Sequence, residues 1–197
     1  MFYRIMRWIA YPFIRIFMRV KYHGMENVPK NKGYILAANH TSIADMFAIA
    51  VPVKCQVCYM AKAELFKFKP LEWLFKALGC FAVKRGKGDT EAIDKACSII
   101  NNGKVLGIFP EGTRSKTGEL GKAKAGVALI AMQTKADILP VSIKYEKGTF
   151  KLFSKVTVRI GKLIPYTEPT EDEGQRASIR RISGEVMDNI KNLWETE

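Results

Sequence analysis

Apolar runs of strand length alternate with helix-period stripes through most of this chain. Residues 34–38 (Tyr-Ile-Leu-Ala-Ala) form an unbroken apolar run, which predicts a buried strand. Residues 56–60 and 80–83 predict two more, 105–109 is a strong strand signal, and 138–145 and 156–160 also read as strands. Between them, helices are predicted from Thr41 or Ser42, over 71–78, from Asp89 or Thr90, and over 125–134. Ile93, Ala96, Cys97 and Ile100 share one face of the third of these, and Gly103 supplies its stop. Thr170 and Glu173 read as a capping box for a last helix with Ile182, Val186, Ile190 and Leu193 on one face. This alternation predicts an α/β fold: a mostly parallel or mixed central sheet flanked by helices. No repeat and no low-complexity linker interrupts it.

Residues 1–20 follow a different pattern. They are rich in Phe, Tyr, Ile, Met and Trp, but Arg4, Arg7, Arg15 and Arg19 interrupt them. No run reaches the ~18 apolar residues of a spanning helix. Recurring charge and the lack of a small-residue cleavage site argue against a secretory signal. At ~100° per residue the four arginines fall within an arc of about 120°. Phe2, Ile5, Met6, Ile9, Phe13, Ile16, Phe17 and Val20 occupy the rest. The expectation is an amphipathic helix in the lipid interface, kinked at Pro12; the competing reading is a helix packed on its own domain. The predicted organisation is an amphipathic membrane-anchoring helical segment at 1–24 and one catalytic domain at 25–197.

Charge narrows the partners. The 197 residues carry 32 Lys and Arg against 19 Asp and Glu, a formal net charge of +13. Such a surface favours anionic lipid, nucleic acid or an acidic carrier. Nucleic acid is disfavoured, because the chain has no zinc-finger spacing, no ribonucleoprotein-type aromatic motif and no basic tail. Cys55 and Cys58 form a lone C-x-x-C, with Cys80 and Cys97 far away, which reads as free thiols in a reducing compartment. No metal site is expected.

The candidate chemistry gathers in two short motifs. The first is Asn39-His40-Thr41-Ser42-Ile43-Ala44-Asp45, which carries one of only two histidines. Five residues along a regular helix separate two side chains by about 140°. His40 and Asp45 therefore meet only if the imidazole comes from a turn before the helix and Asp45 lies inside it. The carboxylate would then hold one ring nitrogen and leave the other to accept a proton. The second motif is Phe109-Pro110-Glu111-Gly112-Thr113-Arg114-Ser115. Gly112 permits close backbone approach, and Arg114 can grip a phosphate or carboxylate through two hydrogen bonds. The plainer reading is a tight turn closed by a local Glu111–Arg114 pair. Arg85, at the end of a predicted strand, could be a second cation or a solvated charge. Lys62, Lys122 and Lys124 read as solvated lysines by default.

With these motifs the chain resembles the PlsC-type glycerolipid acyltransferases that act on 1-acylglycerol 3-phosphate. Asn39, His40 and Asp45 match the family's N-H-x4-D block. Gly79, Phe81 and Arg85 match its second block, residues 109–115 match F-P-E-G-T-R-S throughout, and 138–142 match its apolar-proline strand. Lys62 and Lys124-x-Gly126 also look like family positions. The resemblance covers residues 20–165, and four blocks in order are specific.

The resemblance implies an enzyme that acylates the sn-2 hydroxyl of lysophosphatidic acid from an acyl thioester, giving phosphatidic acid. His40 would be the base and Asp45 its orienting partner, without an acyl-enzyme. Glu111, Gly112, Thr113, Arg114, Arg85 and Lys62 would form the acceptor and phosphate site, with Glu111 holding Arg114 or a glycerol hydroxyl. No cofactor is implied. The donor would be an acyl carrier protein thioester or a coenzyme A thioester, and the place of action the cytoplasmic face of the cell membrane, as a monotopic or peripheral protein. Glycerol 3-phosphate or another lysophospholipid is the alternative acceptor. A non-catalytic basic membrane-binding protein is the alternative of a different class.

Overall fold

A computed structural model of the protein describes residues 12, 16–30, 33–83 and 90–196. Among these residues seven strands form one sheet: β1 (Val20–His23), β2 (Tyr34–Ala38), β3 (Val57–Lys62), β4 (Cys80–Val83), β5 (Val105–Ile108), β6 (Ile138–Tyr145) and β7 (Val156–Ile160). Their order is β1-β7-β6-β2-β5-β3-β4. β6, β2, β5, β3 and β4 run parallel. β7 runs antiparallel to β6, and β1 is parallel to β7. The sheet is thus mixed and mostly parallel, in accord with the sequence pattern.

β2 is central, between β5 and β6, and all five of its residues are buried. Successive side chains of a strand point to opposite faces. Leu36 and Ala38 accordingly enter one core with Ala48, Ile49 and Tyr59, while Ile35 and Ala37 enter the other with Ala96, Val127 and Ile182. Both faces of β2 meet apolar side chains, which is why its sequence is a continuous apolar run rather than an alternation. The first face is covered by two short helices, α1 (Ala44–Ala50) and α2 (Lys69–Ala77). The second is covered by α3 (Thr90–Asn101), α4 (Gly126–Thr134) and α5 (Gln175–Glu195).

Three local expectations change. Val20–His23, assigned from sequence to the anchoring segment, is a strand of the central sheet, paired with Val156–Arg159. Its half-exposed, alternating burial suits an edge strand. The first helix begins at Ala44 rather than at Thr41 or Ser42, because the Asp45 carboxylate takes both of those residues' amides into a turn of its own. The last helix is capped by Gly174 and not by a Thr170–Glu173 box; Glu173 instead pairs with Arg181, Oε1 to Nε 2.9 Å. The interfacial helix expected over 1–20, with Arg4, Arg7 and Arg15, lies outside the described residues except for Pro12 and 16–20. Asp89 and Arg85 lie outside them as well. Among the described residues no helix is long and apolar enough to cross a membrane.

Candidate active site

The site forms at the edge where the parallel strands end, the usual location for ligands in open α/β sheets. His40 follows β2, Lys62 ends β3, residues 109–115 follow β5, and Tyr145 ends β6. Asn39 stops the β2–β6 ladder with its side chain. Its Nδ2 donates to the Ile143 carbonyl at 2.9 Å, and its Oδ1 accepts from the Ile143 amide at 2.7 Å. The chain then leaves the sheet, and His40 is presented on a turn.

The turn after β5 holds the backbone of His40 at both ends. The His40 amide donates to Glu111 Oε1 at 2.9 Å, and the Ser115 amide donates to the His40 carbonyl at 2.7 Å. Glu111 is 7% exposed, and its other oxygen accepts from the Gly121 amide at 3.0 Å. Its carboxylate therefore braces two loops. It does not hold Arg114, and the local Glu111–Arg114 pair is not formed. Gly112 sits at φ 69°, with the Lys124 side chain lying where a Cβ would go. Gly107 serves differently. A Cβ there would come within 2.2 Å of the Tyr59 ring, so a bare backbone at β5 lets the ring lie across the strand.

Asp45 is fully buried in the second position of α1. Its Oδ2 accepts from the amides of Thr41 at 2.6 Å and Ser42 at 2.7 Å and meets His40 Nδ1 at 2.9 Å. Its Oδ1 accepts from the Tyr145 hydroxyl at 2.5 Å. Four donors converge on one carboxylate, which is the way to keep a charge in a core. Burial, then the Asp45 charge and this hydrogen bond, push the Tyr145 phenol well above its usual range, so it remains a donor. With Asp45 as acceptor, the proton on the imidazole belongs on Nδ1, leaving Nε2 with a lone pair. The ring lies flat against Phe109, centroids 3.8 Å apart and planes 14° from parallel. Nothing in the sequence marked Tyr145, which lies 100 residues from Asp45. Only the strand order brings it in.

His40 lines a cleft of about 660 Å³. Gly112, Thr113 and Lys124 form its polar side, and Met60, Val83, Ile108, Val127 and Leu129 lie among its apolar walls. His40, Asp45, Glu111, Gly112 and Thr113 are thus brought together. Arg114 and Lys62 do not line this cleft. Arg114 is exposed on the turn, and Lys62 pairs with Glu64 at 3.1 Å. Among the described residues no three His, Cys, Asp or Glu side chains cluster as metal ligands. Cys58 and Cys80 are buried in strands while Cys55 is exposed. Burial pushes the Cys80 thiol up to about 11.

The structure thus holds a histidine against a buried carboxylate above the strand ends of an α/β sheet. Residues 19–144 match the family described as Acyltransferase, well over half of the chain, and the chain belongs to that family. It is 31% identical over 142 residues to the 1-acyl-sn-glycerol-3-phosphate acyltransferase of Bacillus subtilis, covering 72% of this chain and 70% of that one. It is 32% identical over 208 residues to the Saccharomyces cerevisiae protein of the same name, covering 98% of this chain and 64% of that one. The crystal structure of the 1-acyl-sn-glycerophosphate (LPA) acyltransferase PlsC from Thermotoga maritima is similar in fold, with a TM-score of 0.73 at 26% identity. That match covers 98% of this chain and 81% of that one.

Proposed function

We propose that this chain is a 1-acylglycerol-3-phosphate O-acyltransferase. It moves a fatty acyl group from a thioester to the sn-2 hydroxyl of lysophosphatidic acid and forms phosphatidic acid. The observation that carries the reading is the 2.9 Å contact of His40 Nδ1 with the buried Asp45 carboxylate. It leaves Nε2 as the nitrogen available to a hydroxyl in the cleft that His40 lines.

The acceptor hydroxyl gives its proton to Nε2 as its oxygen attacks the thioester carbonyl carbon. Asp45 stabilises the imidazolium that results. The tetrahedral adduct collapses, the C–S bond breaks, and the departing thiolate takes the proton back from His40. Attack is direct, without an acyl-enzyme, and the lack of a G-x-S-x-G elbow in the sequence is consistent with that. The thioester is already an activated donor, so the chemistry calls for no cofactor.

The phosphate of the acceptor is bound by the turn of Gly112, Thr113 and Arg114. Arg114 has no ion-pair partner among the described residues, so its guanidinium is available without breaking a pair. Lys62, at the end of β3, adds positive charge, and Arg85 is proposed to do the same. The apolar walls of the cleft, from Met60 to Leu129, suit an acyl chain. The donor is acyl carrier protein or coenzyme A thioester, both anionic, and the enzyme works at the cytoplasmic face of the cell membrane, bound to anionic lipid without spanning it.

Acyl transfer by detergent-solubilised full-length chain tests the reading. Lysophosphatidic acid, glycerol 3-phosphate and lysophosphatidylcholine are offered in turn with each donor. Lysophosphatidic acid should be used best. Preference for either of the others would transfer the site to a different acceptor, and no transfer with any would leave a membrane-binding protein without catalysis.

A further inference from the structure

Among the described residues the exposed large apolar side chains are distributed unevenly. Ile43, Phe47, Leu65, Phe68 and Trp73 all stand exposed on segments that cover one face of the sheet, Phe68 and Trp73 by 64% and 63%. Helices α3, α4 and α5, on the other face, expose no large hydrophobic side chain. Topology explains where the five gather. β2 and β3 run parallel through β5, so the segments leaving their ends emerge on the edge that holds His40. Ile43 and Phe47 lie on the segment after β2, Ile43 as the cap of α1 and Phe47 inside it. Leu65 and Phe68 follow β3, and Trp73 is one turn further on α2. Phe47 also lines a small apolar recess with Phe75 of α2 and with Leu78 just after it, so the two helices form one surface.

Charge tells what this surface fits. Lys67 and Lys69 flank Phe68, and neither enters an ion pair among the described residues. Lys69 and Trp73 follow one another at i and i+4 on one stripe of α2, which Lys76 continues at i+7 while paired with Glu72 at 2.7 Å. Phe75 turns the other way and packs on Phe66 at 5.7 Å between centroids. Exposed aromatic rings interleaved with lysines match the boundary of an anionic bilayer, where rings sit at headgroup depth and lysines reach phosphates. Across the same edge, the segment between β6 and β7 repeats the pattern, with exposed Leu152 and Phe153 beside Lys151.

We propose that the strand-end rim carrying Ile43, Phe47, Leu65, Phe68 and Trp73 is a bilayer-docking surface of the folded domain, distinct from residues 1–20. It seats the His40 edge against anionic lipid. The orientation rests on the acyl-transfer reading, since a base that deprotonates a lipid hydroxyl must face the lipid.

The test uses full-length chain in which Trp8→Phe and Trp194→Phe leave Trp73 as the only tryptophan. It is mixed with phosphatidylcholine–phosphatidylglycerol vesicles carrying brominated acyl chains. Trp73 emission should shift to the blue and be quenched. In parallel, a Leu65→Ser, Phe68→Ser, Trp73→Ser triple variant, checked for fold by circular dichroism, should bind these vesicles about tenfold or more weakly, the scale of losing several buried apolar side chains. It should keep transfer to a short-chain, water-soluble acceptor. Unquenched Trp73 overturns the docking surface. So does a triple variant that binds vesicles normally but loses use of a carrier-protein donor, which would make the rim a protein-docking face. Quenching without transfer to the soluble acceptor overturns the catalytic reading instead and leaves the surface standing.

Discussion

Tyr145 holds Asp45 from the side opposite His40. The phenol donates to Oδ1 at 2.5 Å while the imidazole meets Oδ2 at 2.9 Å. A histidine from the end of β2 and a tyrosine from the end of β6 thus share one carboxylate. The pairing exists because β2 and β6 are neighbours in the sheet, with Ala38 opposite Val141.

Replacing this tyrosine separates its two effects. Tyr145→Phe leaves Oδ1 buried without its donor, which should cost roughly 1–3 kcal/mol of stability. It should also loosen Asp45 and with it the imidazole. The expected kinetic result is a lower kcat with little change in KM for either substrate. Urea unfolding and steady-state kinetics read the two effects separately. A variant with lower stability but wild-type kcat would make Tyr145 structural alone.

The same residue makes an alkaline prediction. The Tyr145 phenol titrates well above 10 in the folded protein and near 10 when unfolded. Above pH 10 the unfolded chain therefore releases a proton that the folded one keeps, and stability falls as pH rises. Its contribution is fully present below pH 10. It should decline by about 1.4 kcal/mol for each pH unit above that until the folded pKa is reached. Unfolding followed from pH 9 to 11 should show a steeper decline for the parent than for Tyr145→Phe. Parallel slopes would contradict the buried hydrogen bond.

Glu111 and Arg114 belong to one motif but should fail in different ways. Glu111→Ala strips two backbone amides, those of His40 and Gly121, of their acceptor. It should destabilise the protein by about 1–3 kcal/mol and lower kcat by releasing the His40 turn. Arg114→Ala touches an exposed side chain and should change stability by less than about 0.5 kcal/mol. Its effect should appear in KM for lysophosphatidic acid and not for the thioester. Arg114→Lys should restore part of it, since lysine lacks the planar fork. Equal effects on both substrates would argue against a phosphate role.

The cysteines give a chemical check on the fold. Cys55 is exposed, whereas Cys80 is buried in β4 with its thiol raised to about 11. Near pH 8 iodoacetamide should modify Cys55 well before Cys80, because the thiolate is the reactive form. Peptide mapping over time reads the order. Equal rates would mean that β4 is not packed at the sheet edge.

Much of this was legible in the sequence, for reasons that differ by element. β2 was legible because burial on both faces makes a continuous apolar run. The helix period showed how His40 and Asp45 could meet, from a turn followed by a helix, and the family resemblance implied that they do. β1 was not legible. Only Val20 and Tyr22 of its four residues are apolar, and it follows an aromatic segment with no turn signal. The Thr170–Glu173 pattern misled because capping boxes are recognised by spacing alone, while Gly174 supplies the extended cap and Arg181 claims the carboxylate. Glu111 misled because its partners are backbone amides, which every residue carries. Tyr145 was hidden because strand order is not written locally.

The central claim is that the Nε2 lone pair of His40 takes the proton of the acceptor hydroxyl. His40→Ala, in full-length protein with unchanged circular dichroism, is the most direct test, with turnover measured from an acyl thioester to lysophosphatidic acid. General-base catalysis contributes ~10²–10⁴-fold, and kcat should fall by at least that much. A folded His40→Ala protein that turns over at the parent rate would contradict the mechanism.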